Sequence, residues 1–320
     1  MVRLLVLASF NMDLVMRAEQ PRPGETLQGT FAMYPGGKGY NQAVAARRLG
    51  AEVIVAGRVG SDEFGEVFLA ALDREGIDRR GVRRDEHEGT GVASITVLPS
   101  GENAIVQAPR ANLRFAYDDL PGIDATTSSH HGRSASVFDG IDCVMATLET
   151  PAAVSARVQS EVRAIPAPPR FVFNVAPASR LLRLPEAAWD IVVANAIEAE
   201  AFTGIRIDDP ATAAEAAALA VRRDRINLMA ITLGAQGAVA ASEGRRVARE
   251  AFQTAVVDTT GAGDAFCAAL AVSVAEGAEL EDAMRFASAA GALACRRHGA
   301  EPSMPYREEV DALLAAQRAR

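Results

Sequence analysis

The sequence predicts an α/β protein: a doubly wound, mostly parallel sheet flanked by helices, with a small β-sheet lid beside it. Two observations carry this. Short aliphatic and β-branched runs (RLLVLA, EVIVAG, DCVMAT, RFVFNV, DIVVAN and LMAITLG) alternate with segments of helical apolar spacing along the 320 residues. Hydrophobic residues make up 49% of the chain and aromatic ones 5%, so the core is built from Val, Leu, Ile and Ala, as in parallel strands covered on both faces.

Taken in order, MVRLLVLASFNMD reads as a first buried strand, its apolar run being too short and wrongly flanked for a secretory signal. Residues 12–35 hold strand-like pieces broken by Pro21, Pro23 and Gly24. Helices are expected over 38–49, stopped by Gly50, and over 63–75, stopped by Gly76. In GVASITVLPSGENAIVQA, Ala93, Ile95 and Val97 alternate with Ser94 and Thr96 before a PSGEN turn, which describes a sheet with one apolar and one polar face. Residues 12–35 and 90–108 together make the lid. Residues 124–136, DATTSSHHGRSAS, read as a polar surface loop, with His130 and His131 solvent-exposed because no carboxylate or thiol stands at ligand spacing. Further helices are expected over 151–164, 210–224, 263–276 (stopped by Gly277) and 281–297. The whole, 1–320, reads as one domain.

A net charge of -8 repels a nucleic acid backbone, and the basic cluster Arg222, Arg223 and Arg225 reads as the dipole-matched end of an alanine-rich helix. Cys143, Cys267 and Cys295 are odd in number and set in apolar contexts, which suits reduced thiols in a cytoplasmic protein. No stretch is long enough to cross a bilayer.

The stretch VVDTTGAGDAF concentrates the chemistry. Gly261, Ala262 and Gly263 lie where a strand end feeds a buried helix, and minimal side chains let an anion reach the free N–H groups of its first turn. Asp264, ionised at neutral pH, would repel a merely bound phosphate. It makes sense instead as a base that takes the proton of an attacking hydroxyl while the turn stabilises charge on a moving phosphoryl group. The plainer reading, a tight turn with Asp264 as helix cap, stays open. GGKGYNQ lacks the spacing of a nucleotide-hydrolase phosphate loop, and GAGDAF has Phe266 where a dinucleotide fingerprint needs glycine.

DTTGAGDAF, taken with PGGKGYNQAVAARRLGA, resembles the paired signatures of the ribokinase (PfkB) family of carbohydrate kinases. The likeness continues through FNMD, RPGET, VGSDEFGE, GIDRRGV, TLET, FNVAPA, NAIEAE, ITLGAQG and RRHGAEPSMPYREE. The resemblance implies a ribokinase-like α/β body whose lid closes over a sugar, with ATP as donor and a primary hydroxyl as acceptor, most simply the 5-hydroxyl of D-ribose. Asp264 would be the base and Gly261, Ala262 and Gly263 its anion hole. Asn11, Asp13, Gly37, Lys38, Gly39, Asn41 and Glu149 would hold the sugar. Asn195 and Glu198 would support the magnesium and phosphate water shell, and Thr232, Gly234, Gly237 and Gly263 the nucleotide. Asp258, Thr260, Ala294, Arg297, Gly299 and Ser303 would surround a potassium ion, mostly through carbonyls. The resemblance also implies a homodimer through the lid. Tyr40, Met12 and PRANLRF depart from the family pattern near the sugar pocket. A tyrosine there would narrow the cavity or stack on a base, so a nucleoside or other sugar kinase is the alternative, and a non-catalytic sensor a remoter one.

Overall fold

The computed structural model describes residues 1–20, 22, 24–100, 102–122, 137–180 and 189–318; the loop expected at 124–136, with its two histidines, lies outside the described residues. The strands are β1 (Arg3–Ala8), β2 (Asn11–Arg17), β3 (Thr30–Gly36), β4 (Glu52–Gly60), β5 (Asp78–Asp85), β6 (Gly91–Val97), β7 (Asn103–Ala108), β8 (Cys143–Thr147), β9 (Arg170–Asn174), β10 (Trp189–Asn195), β11 (Ile226–Thr232), β12 (Ala238–Ser242) and β13 (Arg245–Arg249). The helices are α1 (Lys38–Arg48), α2 (Glu63–Glu75), α3 (Ala152–Arg163), α4 (Ala196–Thr203), α5 (Pro210–Asp224), α6 (Ala262–Ala275), α7 (Leu280–Ala294) and α8 (Arg307–Arg318).

Nine strands form one sheet in the order β13-β12-β11-β10-β9-β8-β1-β4-β5. Pairing is parallel from β5 to β11 and antiparallel through β12 and β13. The alternation of side chains along β1 shows why its sequence is continuously apolar. Leu4, Val6 and Ala8 enter the core shared with α1, α6 and α7, whereas Leu5 and Leu7 enter the one shared with α3 and α5. Connections run from β1 toward β4 on one side, and β8 lies on the other. The strand order therefore reverses between β1 and β8, and the crevice beyond their carboxyl ends is the expected ligand position.

The six apolar runs become β1, β4, β8, β9, β10 and β11, and the helix expectations hold within a few residues. One end differs. The helix expected to run to residue 297 stops at Ala294, because the Cys295 carbonyl accepts the Val257 and Asp258 amides and docks the loop before α6. β5, DRRGVRRD, has no apolar signature. It is an edge strand in which Arg79 and Arg84 are neutralised from α2, by Asp73 and Glu66, and Arg80 by Asp78 of the strand itself.

The second sheet has the order β3-β2-β6-β7, with β2 and β6 parallel and the outer pairs antiparallel. Its register aligns Asp13, Tyr34, Ala93 and Gln107 in one row and Leu14, Met33, Ser94 and Val106 in the next, on the opposite face.

Candidate active site

α1 begins against the bend between β1 and β2. Gly37 has φ 96°, and a Cβ on Gly39 would stand 2.5 Å from Ala8 Cα and Ser9 N, so only glycine lets the helix start lie directly on the strand end. Glu149, just after β8, ties the elements together. One of its oxygens accepts from Ser9 Oγ at 2.6 Å, Lys38 N at 2.8 Å and Asn11 Nδ2 at 3.2 Å. The other accepts from Gln107 Nε2 of β7 at 2.8 Å. Asn112, in PRANLRF, clasps Phe10 N and O and the Asn11 side chain.

α6 starts at Ala262 behind Gly261, which has φ 79°; a side chain there would press on Met304 and Ala300. Asp264 is the third helical residue and makes no cap. Its carboxylate points back to α1, where Asn41 Nδ2 donates to Oδ2 at 3.0 Å and Gln42 Nε2 to Oδ1 at 3.1 Å. The capping alternative is therefore set aside. The Ala262 amide is spent on the Thr259 carbonyl, but the Gly263 and Asp264 amides have no backbone partner, and a Cβ at Gly263 would face open space. This leaves two first-turn donors beside a carboxylate.

Burial dominates the electrostatics. It pushes the Asp264 acid above the usual carboxylate range, although Lys38 and the Gln42 and Asn41 amides pull partly the other way. Burial also raises Asp13, with help from Glu149 and Asp264 and against Lys38, to about 7. Burial alone would discharge Lys38, yet the carboxylates of Asp264, Glu149 and Glu198 overrule it and hold the ammonium above its ordinary value. One lysine thus sits in the field of four acids, Asp13, Glu149, Glu198 and Asp264.

Asn195 and Glu198 form a reciprocal cap on α4: Asn195 Oδ1 accepts the Glu198 amide at 2.9 Å, and Glu198 Oε2 accepts the Asn195 amide at 2.8 Å. Asn195, Thr232 and Gly234 line a cavity of about 330 Å³ with Ile197, Ile207 and Gln236. Gly237 does not line it; a side chain there would strike the Arg249 carbonyl.

Beyond α6's start, Asp258 accepts from Thr260 N and Oγ1 and from Gly299 N, bonds that outweigh burial and bring its acid below the usual range. Ala294 ends α7 at the same loop. Arg297 turns its guanidinium to Glu309, and Ser303 Oγ donates to Ala300 O. Among the described residues, no group of three His, Cys, Asp or Glu side chains is arranged for a metal.

Tyr40 is fully buried, edge-on to Phe68 at 5.1 Å and tilted against Phe10 at 6.2 Å. Met12 enters the same core. With its ring fully buried, Tyr40 offers no stacking face, which corrects that reading from sequence. Ser9, Gln42, Gln107, Asn112 and Asn174, whose Oδ1 accepts from Gln42 Nε2 at 3.2 Å, were missed there. Gln42 in GGKGYNQ, Asn112 in PRANLRF and Asn174 in FNVAPA lie within stretches singled out in the sequence, whereas Ser9 and Gln107 carried no local signal.

A buried carboxylate beside free helix-start amides, at the switch point of a doubly wound sheet with an attached small sheet, is an arrangement suited to phosphoryl transfer to a hydroxyl. Residues 1–307 match the pfkB family carbohydrate kinases, and the chain belongs to that family. It is 35% identical over 313 residues to the ribokinase of Haemophilus influenzae, covering 96% of each chain. It is equally 35% identical over 317 residues to that of Bacillus subtilis, covering 98% of this chain and all of the relative. The structure of Arabidopsis thaliana ribokinase complexed with ribose and ATP superposes with a TM-score of 0.85 at 29% identity, covering 98% of this chain and 99% of that one.

Proposed function

We propose that this enzyme transfers the γ-phosphoryl group of ATP to the primary 5-hydroxyl of D-ribose, giving D-ribose 5-phosphate and ADP. The observation that carries the reading is the Asp264 carboxylate, buried and oriented by Asn41 and Gln42 next to the unpartnered Gly263 and Asp264 amides. Asp264 takes the hydroxyl proton as the oxygen bonds to the γ-phosphorus and the bond from that phosphorus to the bridging oxygen of ADP breaks. The helix-start amides meet the charge on the transferring oxygens. The relatives named ribokinase support ribose as acceptor, as does the neighbour complexed with ribose and ATP.

Asn11, Asp13, Lys38 and Glu149 hold the sugar hydroxyls, with Gly37 and Gly39 setting the helix start above them and the unpartnered Asn41 carbonyl oxygen available as an acceptor. The whole chain works as one kinase domain, with the small sheet as lid. ATP occupies the cavity at Asn195, Thr232 and Gly234. The excess of acids around Lys38 suits Mg²⁺; Asn195 and Glu198 would support its water shell, and the ion would supply neutralisation of phosphate charge. Asp258, Thr260, Ala294, Arg297, Gly299 and Ser303, on two stretches joined by the Gly299 N to Asp258 bond, would hold a potassium ion, and Arg297, engaged with Glu309, would contribute there only through its backbone. Three unpaired cysteines suit the reducing cytoplasm, and a second copy of the chain pairs through the lid. Among the described residues no helix is long and apolar enough to cross a membrane.

The test is an ADP-release screen over ribose, deoxyribose, fructose and common nucleosides with ATP, magnesium and potassium. Ribose is expected to give the highest kcat/KM; a nucleoside in first place would overturn the assignment.

A further inference from the structure

Among the described residues only Arg110 and Arg225 combine a side chain with positive φ. Arg225 (φ 55°) closes α5 in the left-handed conformation common at helix ends. Arg110 (φ 44°) has no such explanation: it opens a short 3-10 turn where the chain leaves β7 for the body. A bulky residue in that region stands against its backbone preference, and such a position persists only where surrounding contacts enforce it.

The contacts are specific. Arg110 Nη1 donates to the Thr90 carbonyl at 3.2 Å, and the guanidinium lies so closely over Gly89 that a Cβ there would collide with it. The next amide, Ala111 N, donates to Gly89 O at 3.1 Å. Thr90 is fully buried and fixed to the body: its hydroxyl donates to Asp62 Oδ1 at 2.6 Å and accepts from Gly60 N at 2.9 Å, and its amide donates to Asp62 Oδ2 at 2.7 Å. Residues 86–90 carry the chain into β6 and residues 109–110 carry it out of β7. Arg110 therefore ties both crossings to one anchor on the body. Ala93 and Gln107 pair across β6 and β7, Asp13 stands beside Ala93, and Gln107 reaches Glu149.

We propose that Arg110 is a positioning residue for the sugar: clamping the two crossings together, it fixes the register of Asp13 and Gln107 over Glu149. The proposal rests on the sugar-kinase reading for its kinetic consequence, but not for the clamp itself. The informative variant is Arg110→Gly, because glycine accepts the backbone conformation while losing the guanidinium. Its thermal midpoint should equal or exceed that of the parent, while KM for ribose rises about five- to tenfold, as for loss of one fixing hydrogen bond, with KM for ATP unchanged. Arg110→Lys should recover part of the ribose KM. In hydrogen exchange, amides 89–93 and 105–112 should lose protection in Arg110→Gly while β1, β8 and α6 keep theirs. If the wild type turns over no sugar at all, the kinase reading fails, and the exchange comparison still decides the clamp. Unchanged protection at those amides, or an unchanged ribose KM in an active enzyme, would overturn the proposal.

Discussion

The side-chain amide of Asn41 donates to Asp264 at 3.0 Å, joining the first turn of α1 to the first turn of α6 across 223 positions of chain. Gln42 holds the other oxygen, so both faces of the carboxylate are fixed before any substrate arrives. A base placed here would need no further orienting during a reaction. Asp264→Asn keeps the shape but cannot accept a proton. Turnover should fall on the order of 10²- to 10⁴-fold while ATP affinity stays within about threefold. Isothermal titration with ATP alongside steady-state rates checks both; a variant that turns over as fast as the parent removes Asp264 from the chemistry.

The Gln42 amide also offers a pH test. Burial raises the Asp264 acid, and the amide bonds hold it partway down. Gln42→Leu deletes one of those donors and keeps the volume, so the acid rises further. A base at this position works only when ionised, so the acid limb of the kcat/KM profile should move to higher pH. Activity near pH 6 should then suffer more than activity near pH 9. Superimposable profiles would mean that Gln42 supports packing alone.

Asp13 illustrates a site held at the expense of stability. Its acid is raised to about 7 in the fold, from an ordinary 3.8, by burial first and then by Glu149 and Asp264. Between those values the folded protein binds a proton that the unfolded chain has released, so stability falls as pH rises through that window, and the full penalty is felt above about 7. Asp13→Asn should therefore match the parent near pH 4 and be more stable at about pH 8, on the order of 2 kcal/mol for a half-buried group. Its ribose KM should rise. Denaturant unfolding at the two pH values measures the effect, and an equal difference at both would refute the linkage.

The parts of this protein that were readable from sequence are those whose signal is local. β1, β8 and β9 are covered on both faces, so nearly every residue is apolar, and GAGD announces its turn by the absence of side chains. β5 escaped because an edge strand needs no apolar run and carries arginines paired to α2. The β12–β13 hairpin, AVAAS and RRVAR, escaped because alanine is a poor strand signal. At the site, Ser9, Gln107 and Asn112 act on groups more than forty positions away, and nothing in their neighbours' spacing marks them.

Tyr40 is the instructive failure. Read as a pocket residue, it is a core residue whose hydroxyl is buried without a hydrogen-bond partner. A stranded hydroxyl costs about 1 to 3 kcal/mol, and removing it leaves the rings of Phe10 and Phe68 in contact. Tyr40→Phe should raise the thermal midpoint by a few degrees, consistent with roughly 1 kcal/mol, without altering the ranking of ribose against nucleosides. A changed ranking would return Tyr40 to the pocket.

The small sheet makes the last prediction. The row that carries Asp13 and Gln107 faces the site; on the opposite face Met12 enters the core, and further along the strands Met16 (42% exposed), Phe31 (55%), Met33 (52%) and Val106 (74%) lie open, as Ile105 (57%) does on the site-facing side. Open apolar side chains grouped in this way call for a cover, and we expect an identical face on a second copy to supply it under two-fold symmetry. Phe31→Glu combined with Met33→Glu places like charges opposite one another across that axis. The wild type should sediment as a dimer at micromolar concentration and the double variant as a monomer that keeps its helical circular dichroism. Monomeric wild type, or a double variant that still dimerises, would show that this face pairs with nothing.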